Sequence, residues 1–370
     1  MQLKQIYCYP LKSGKAIGLS HTTLSSLGVE GDRRLMVIDS HNQFVSARSA
    51  PQLCLVECHL EGDRVTLVGP RMPSVSLSLT KVAQRAQVQI WRSDVNVSLL
   101  DESAHHWISE YLQGDYRLCF FDEQSERAVN KAPEYQVSFA DICPVLLIGQ
   151  ASLDALNEYT GRSDQMLQFR PNLVVDSGTP YAEESWQIIR IGDVELMAVK
   201  PCGRCQVTTL DPHTAIFDPA DEPLKSLEKF HSMENGKIVF GQYFVVTKAG
   251  GARLGDKVTV VSECQPPQYR CHTDSSLQEA KSSYQVFFDQ AGVMAKGDTD
   301  QTLLEIAEEH DVDLPSSCRS GSCGTCRVKL IDGQVEVGAD YALSDQEIEE
   351  GYILACSCFP RSDLVISQED

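Results

Sequence analysis

Four cysteines near the end of this 370-residue chain carry the clearest chemical spacing. Cys318, Cys323 and Cys326 follow the pattern C-x4-C-x2-C, and Cys356 stands further on in Leu354-Ala355-Cys356. Two irons bridged by sulfide need four thiolates, and this spacing supplies them for a [2Fe–2S] cluster. The loop must wrap the cluster closely. Gly321 and Gly324 permit that approach and let backbone N–H groups face the sulfides. The competing reading is a zinc knot, which pairs two close Cys couples around a tetrahedral ion; one triplet and a remote Cys suit it poorly. Cys358 lies two residues past Cys356 and points the same way if the segment is a strand. We take Cys356 as the ligand and Cys358 as a spare buried thiol. Such a cluster passes single electrons and needs a donor and an acceptor. The chain has no GxGxxG fingerprint for a nicotinamide or flavin. The donor is therefore expected to be another protein, and the acceptor to lie within residues 1–263.

A second constellation sits there: Lys200-Pro201-Cys202-Gly203-Arg204-Cys205, running on to Thr208, Thr209 and Asp211. A C-x2-C pair can be a redox dithiol or half of a zinc site. No second Cys pair or His couple lies nearby, and the stretch looks β-rich, whereas a dithiol motif opens a helix. A third reading is one thiolate binding a soft redox metal, with Arg204 lowering the thiol pKa.

The elements that must position these residues are mostly short strands. Apolar or β-branched runs predict strands at Arg34–Ile38, Leu55–Leu60, Val65–Val68, Val88–Trp91, Leu173–Val175, Glu195–Val199, Tyr243–Thr247 and Val258–Val261. Apolar stripes predict helices around Trp107–Leu112, Leu153–Leu156 and Leu224–Phe230, the last following Pro223. The Pro-rich, polar stretch 264–283 reads as a linker. After it come two strands (Tyr284–Phe288 and Val293–Ala295), a capping box at Thr302 and Glu305 opening a helix, then the cysteine loop. The expected architecture is mainly β and multidomain: barrel-like units over 1–123 and 124–263, the linker 264–283, and an α+β unit over 284–370.

Charge narrows the partners. The chain carries 52 acidic against 32 basic residues, a formal net charge of −20. Residues 284–370 alone hold 18 acidic and 5 basic. Such a surface disfavours nucleic acid and anionic membranes. No apolar run is long enough to span a bilayer, and no secretion signal is expected at the N-terminus. Fourteen cysteines then point to reduced thiols and a cytoplasmic setting.

The segment 284–370 resembles plant-type ferredoxin domains over its whole length, which implies a β-grasp fold. The stretch Lys200–Asp211 resembles the MOSC domain, shared by molybdenum-cofactor sulfurases and amidoxime-reducing proteins. Further matching segments are Tyr9-Pro10-Leu11-Lys12-Ser13, Gly31-Asp32-Arg33-Arg34, Phe139-Ala140-Asp141-Ile142-Cys143-Pro144, Phe169-Arg170-Pro171-Asn172 and Phe240-Gly241-Gln242-Tyr243. The whole chain is similar to bacterial YcbX-type proteins, which join a MOSC N-terminal barrel, a MOSC domain and a ferredoxin.

The resemblance implies a molybdopterin-type cofactor whose molybdenum is ligated by Cys205, with Cys202 a neighbour. Lys12, Ser13, Arg33 and Arg170 would hold its phosphate, donors of the kind that suit an anion. Asp141 and Asn172 would bond the pterin edges, Tyr243 would line the site, and Arg204 would touch the cofactor or hold the loop. Cys143 and Gly203 stand where relatives can carry a small hydroxyl. The implied activity is reductive cleavage of N–O bonds in N-hydroxylated bases, hydroxylamines or amidoximes. Electrons would come from a separate NAD(P)H-dependent flavoprotein through the chain's own cluster. The alternative is a module for cofactor binding or sulfur transfer in cofactor maturation. The fused ferredoxin speaks against that alternative, since delivery needs no electron relay.

Overall fold

The computed structural model describes residues 1–80, 84–91, 93–233, 236–269, 283–299, 301–316, 319, 321, 324–338 and 342–368. The chain divides into two compact units, one of Met1–Ser226 with Val239–Pro267, the other of Leu227–Ile238 with Gln268–Asp370. Strands dominate, as the patterning predicts. Most of the expected linker, 270–282, lies outside the described residues.

The first unit is built on an eight-stranded sheet. Its order runs Ile17–Leu19, Gln2–Cys8, Leu173–Asp176, Val145–Gly149, Val239–Lys248, Val194–Gly203, Trp186–Ile191 and Val258–Glu263. The strand Val194–Gly203 alternates, burying Val194, Leu196 and Ala198. These pack with Ile6, Leu147, Leu173, Ile189 and Phe244 into one core, the period-2 signature of a half-buried strand. The first strand of the chain is therefore a member of this sheet, paired Ile6 to Leu173. The opening strand thus joins a sheet built largely from later residues.

A five-stranded sheet contains Gln84–Ile90, Ser93–Leu99, Tyr116–Phe120, Leu35–Asp39 and Phe44–Val45. The helix Glu102–Leu112 starts at Asp101, whose carboxylate accepts the Ala104 N–H at 3.2 Å. It buries Ala104, Trp107, Ile108 and Leu112 against Leu35, Val65 and Leu118. The other two helices appear where the stripes placed them, at Gln150–Thr160 and Leu224–Phe230.

In the second unit the order is Val293–Asp298, Ser283–Phe288, Leu364–Ser367, Arg327–Asp332 and Tyr352–Leu354. Thr302 and Glu305 form the expected capping box of the helix Leu303–Glu309. Its Leu303, Leu304, Ile306 and Ala307 are buried. One local expectation fails. Ala355–Ser357 is a 3-10 turn, and Cys358 opens a different strand, Cys358–Pro360, paired with Val335–Val337. Cys356 and Cys358 thus do not share one strand face. Among the described residues no helix is long and apolar enough to cross a membrane.

Candidate active site and cluster loop

Most motif segments of the first unit lie at or beside strand ends, and Phe240–Tyr243 lies within the strand Val239–Lys248. Tyr9–Ser13 follows Gln2–Cys8, 139–144 precedes Val145–Gly149, 169–172 precedes Leu173–Asp176, and Arg204–Cys205 follows Val194–Gly203. They converge on one open cleft. Lys12, Ser13, Arg33, Asp141, Arg170, Asn172, Arg204, Cys205 and Tyr243 all line it. Every residue expected in this site from the sequence is thus brought to a single place, over separations of up to some 230 positions in the chain.

Three of these residues, Ser13, Arg33 and Arg170, have positive φ values of 67°, 46° and 55°. Side-chain-bearing residues persist in that region where surrounding contacts over-determine them, and such positions gather at functional sites. The contacts are present. Ser13 Oγ accepts the Ala47 N–H at 2.9 Å. Arg33 donates to Asp32 Oδ2 at 2.6 Å, to Asn172 Oδ1 at 3.1 Å and to the Arg170 carbonyl at 3.1 Å. Both Arg33 and Arg170 stack on the buried Tyr9 ring, each guanidinium carbon 4.3 Å from its centroid. Arg170 Nη2 is buried without a hydrogen-bond partner.

Lys12 is only 5% exposed and donates to the Phe139 carbonyl at 2.8 Å and to Asp141. Burial lowers its ammonium to about 8, with the Asp141 carboxylate opposing the fall. Asp141 sits within the cleft, with 44% of its side chain open to it. Desolvation pushes its carboxyl up, but Lys12, Arg48 and Arg127 outweigh that and hold it below the usual range. The Asp141 loop is clamped from behind. Buried Arg127 donates to the carbonyls of Ser138, Ala140 and Asp141 at 3.0, 2.5 and 2.9 Å.

The two cysteines of the C-x2-C pair differ. Cys202 is 2% exposed, its thiol donating to the Gly203 carbonyl at 3.7 Å, and burial raises that thiol. Cys205 caps the 3-10 turn Gln206–Thr209 and is partly open to the cleft, its sulfur accepting an Arg48 N–H at 3.1 Å. Arg204 does not reach that sulfur in the hydrogen-bond network. It donates to the Phe240 carbonyl at 2.9 and 2.5 Å and to the Phe169 carbonyl at 2.8 Å, and so holds the loop. Asn172 is likewise engaged in the scaffold, through Tyr7 O, the Leu146 N–H and Arg33.

Sequence reasoning missed Arg48 and Arg127. Neither belongs to a spaced motif: Arg48 stands in a Ser-rich turn, and Arg127 in the break between the two β-rich halves. The donor set suits an anionic, metal-bearing group. Lys12, Arg33, Arg48, Arg170 and Arg204 line the cleft with Asp141 and a cleft-facing thiol, and Arg33 is also paired with the buried Asp32. The unpartnered Arg170 N–H is a further anion donor.

In the second unit, strand register brings Cys326 and Cys356 together. Arg327 pairs with Leu354, so Cys326 lies beside the Ala355–Ser357 turn. The Cys356 N–H donates to Cys326 Sγ at 3.4 Å, and the Gly321 N–H to Cys356 Sγ at 3.3 Å. Gly321 and Gly324 have φ of 65° and 78°, the left-handed backbone that the wrap requires. Cys318 and Cys323 lie outside the described residues.

The MOSC N-terminal beta barrel domain matches residues 1–115, the MOSC domain 134–259, and the 2Fe-2S iron-sulfur cluster binding domain 286–361. Mitochondrial amidoxime-reducing component 1 of Mus musculus is 32% identical over 280 residues, covering 70% of this chain and 82% of that protein. The Homo sapiens component 1 is 30% identical over 279 residues, covering 70% and 82%. Among solved structures, a ferredoxin reductase in carbazole 1,9a-dioxygenase is 31% identical over 24% of this chain and 27% of that one, with a TM-score of 0.23. These matches show a MOSC oxidoreductase with its own iron–sulfur electron-transfer domain. The chain belongs to the family of the amidoxime-reducing components.

Proposed function

We propose that this protein is a molybdenum-cofactor-dependent reductase of N-hydroxylated compounds, supplied with electrons through its [2Fe–2S] domain by a separate NAD(P)H-dependent flavoprotein. The observation that carries the reading is the cleft itself: five cationic side chains and one open thiol converge in a protein of net charge −20. The relatives' name supports N–O reduction as the activity. Residues 1–123 and 124–263 build the cleft jointly in this reading, and 284–370 relays electrons. The reduced thiols suit the cytoplasm.

Cys205 holds the metal, being the thiol of the pair that opens to the cleft. Arg33, Arg170, Lys12 and Ser13 receive the phosphate. Asp141, kept ionised, accepts hydrogen bonds from ring N–H groups and is not the acid. Tyr243 keeps its phenol proton, because burial raises it well above its ordinary value. Arg204 and Asn172 hold the walls. When bound at Cys205, the cofactor would supply a two-electron redox metal for reductive cleavage of the N–O bond. The balance is R–NHOH + 2 e⁻ + 2 H⁺ → R–NH2 + H2O. A plant-type cluster, near about −400 mV, suits the upstream position.

Cys205→Ser tests the assignment. It should remove molybdenum and abolish reduction of a hydroxylamine, an amidoxime and an N-hydroxylated purine, while cluster absorbance stays intact. Turnover persisting in that variant sinks the ligand assignment. If molybdenum-loaded wild type with a reduced cluster turns over none of the panel, the sulfur-transfer reading replaces this one.

A further inference from the structure

Arg48 is assigned by no motif, yet its guanidinium is the group on the Cys205 sulfur, at 3.1 Å. We propose that Arg48 is a positioning residue of this centre: braced by Trp91, it holds the Cys205 sulfur and raises the reduction potential of the metal that Cys205 ligates. The inference rests on the functional reading above.

The contact is built into the packing. Arg48 lies in the turn after Phe44–Val45, where Ser46 O accepts the Ala50 N–H at 2.9 Å and Ser13 Oγ accepts the Ala47 N–H at 2.9 Å. Ala47 and Cys54, next in the chain, bury against Leu210 from the loop that follows Cys205, with Val207 beside them. The two segments therefore share one small core. The guanidinium is also shelved. Its carbon is 5.0 Å from the Trp91 ring centroid, and Trp91 meets Phe44 edge-on at 4.7 Å. Trp91 has φ 54°, a costly conformation for a bulky side chain that neighbours must enforce. A planar donor held in this way differs from a flexible lysine. A hydrogen bond to a metal-bound thiolate withdraws charge from the sulfur and favours the reduced metal, as such bonds do at iron–sulfur centres.

The test uses the full-length holoprotein, with molybdenum content, cluster absorbance and the midpoint of the Mo(V) resonance in a redox titration as readouts. Arg48→Met should keep its cluster and shift the one-electron equilibrium about tenfold toward the oxidised metal, about 59 mV. Arg48→Lys should fall between it and wild type, and provides the measurement if Arg48→Met does not load. Trp91→Leu should shift the midpoint in the same direction and add nothing in the Arg48→Met background, since it acts through Arg48. An unchanged midpoint in loaded Arg48 variants, or additive effects of the two substitutions, overturns the proposal while the reductase reading stands. Wild type free of molybdenum overturns both.

Discussion

Of the five cations lining the cleft, Arg33, Arg170 and Lys12 crowd together near Asp141 and Asp32, an arrangement that burial alone would make costly. The protein offsets it locally. Tyr9 offers its π-face to both Arg33 and Arg170, and Asp32 accepts from Arg33 and from the Tyr9 N–H. Lys12 is the member that yields, titrating at about 8. Below that value the ammonium is charged and attracts an anion; above it the charge is lost, while the guanidinium groups persist. Protein made without cofactor should therefore bind inorganic phosphate more weakly at pH 9 than at pH 7.5, by up to about eightfold, as read by calorimetry. Lys12→Met should bind weakly at both pH values and flatten the slope. A slope of wild-type size in that variant would locate the titration elsewhere. At this scale the sequence exposed the cations through their motifs, but not their division of labour. Arg204, beside Cys205 in sequence, turns to the Phe240 and Phe169 carbonyls, and Arg48, 157 positions away, takes the sulfur. Adjacency in the chain carries no information on where a long side chain points.

Strand ends set the cleft, so backbone changes there should be felt in it. Gly241 lies between Phe240, whose carbonyl receives Arg204, and Tyr243. It adopts φ 77°, and a Cβ there would sit 2.6 Å from Ile148 Cγ1 and 2.9 Å from Leu147 O. Gly241→Ala should destabilise the first unit by about 1–3 kcal/mol. Thermal unfolding should show a loss of several degrees, with the cluster's own absorbance transition unmoved. An unchanged midpoint would mean that the strand relaxes freely. Strands and helices were legible from period-2 alternation, apolar stripes and the Thr302 capping box. The Cys356–Cys358 segment was not, because alternation cannot reveal a 3-10 turn that breaks a strand between two cysteines.

Charge acts over the whole molecule. The last 87 residues hold 18 acidic against 5 basic side chains, so docking of a flavoprotein should be steered by a basic patch on that partner. Stopped-flow reduction of the cluster should slow steeply as ionic strength passes about 0.15 M, where the screening length is about 8 Å. A rate indifferent to salt would count against steering. The amino-acid order alone determined the mainly β character, the acidic last stretch and the cysteine spacing, since each is a local pattern or a simple count, whereas the cofactor-site residues followed from the family resemblance. Only tertiary structure decided that the opening strand belongs to the sheet of the later domain, that Arg127 clamps the Asp141 loop, and that Arg48 reaches Cys205. Those are long-range pairings fixed by register and core packing, and packing partners leave no periodic trace in a single chain.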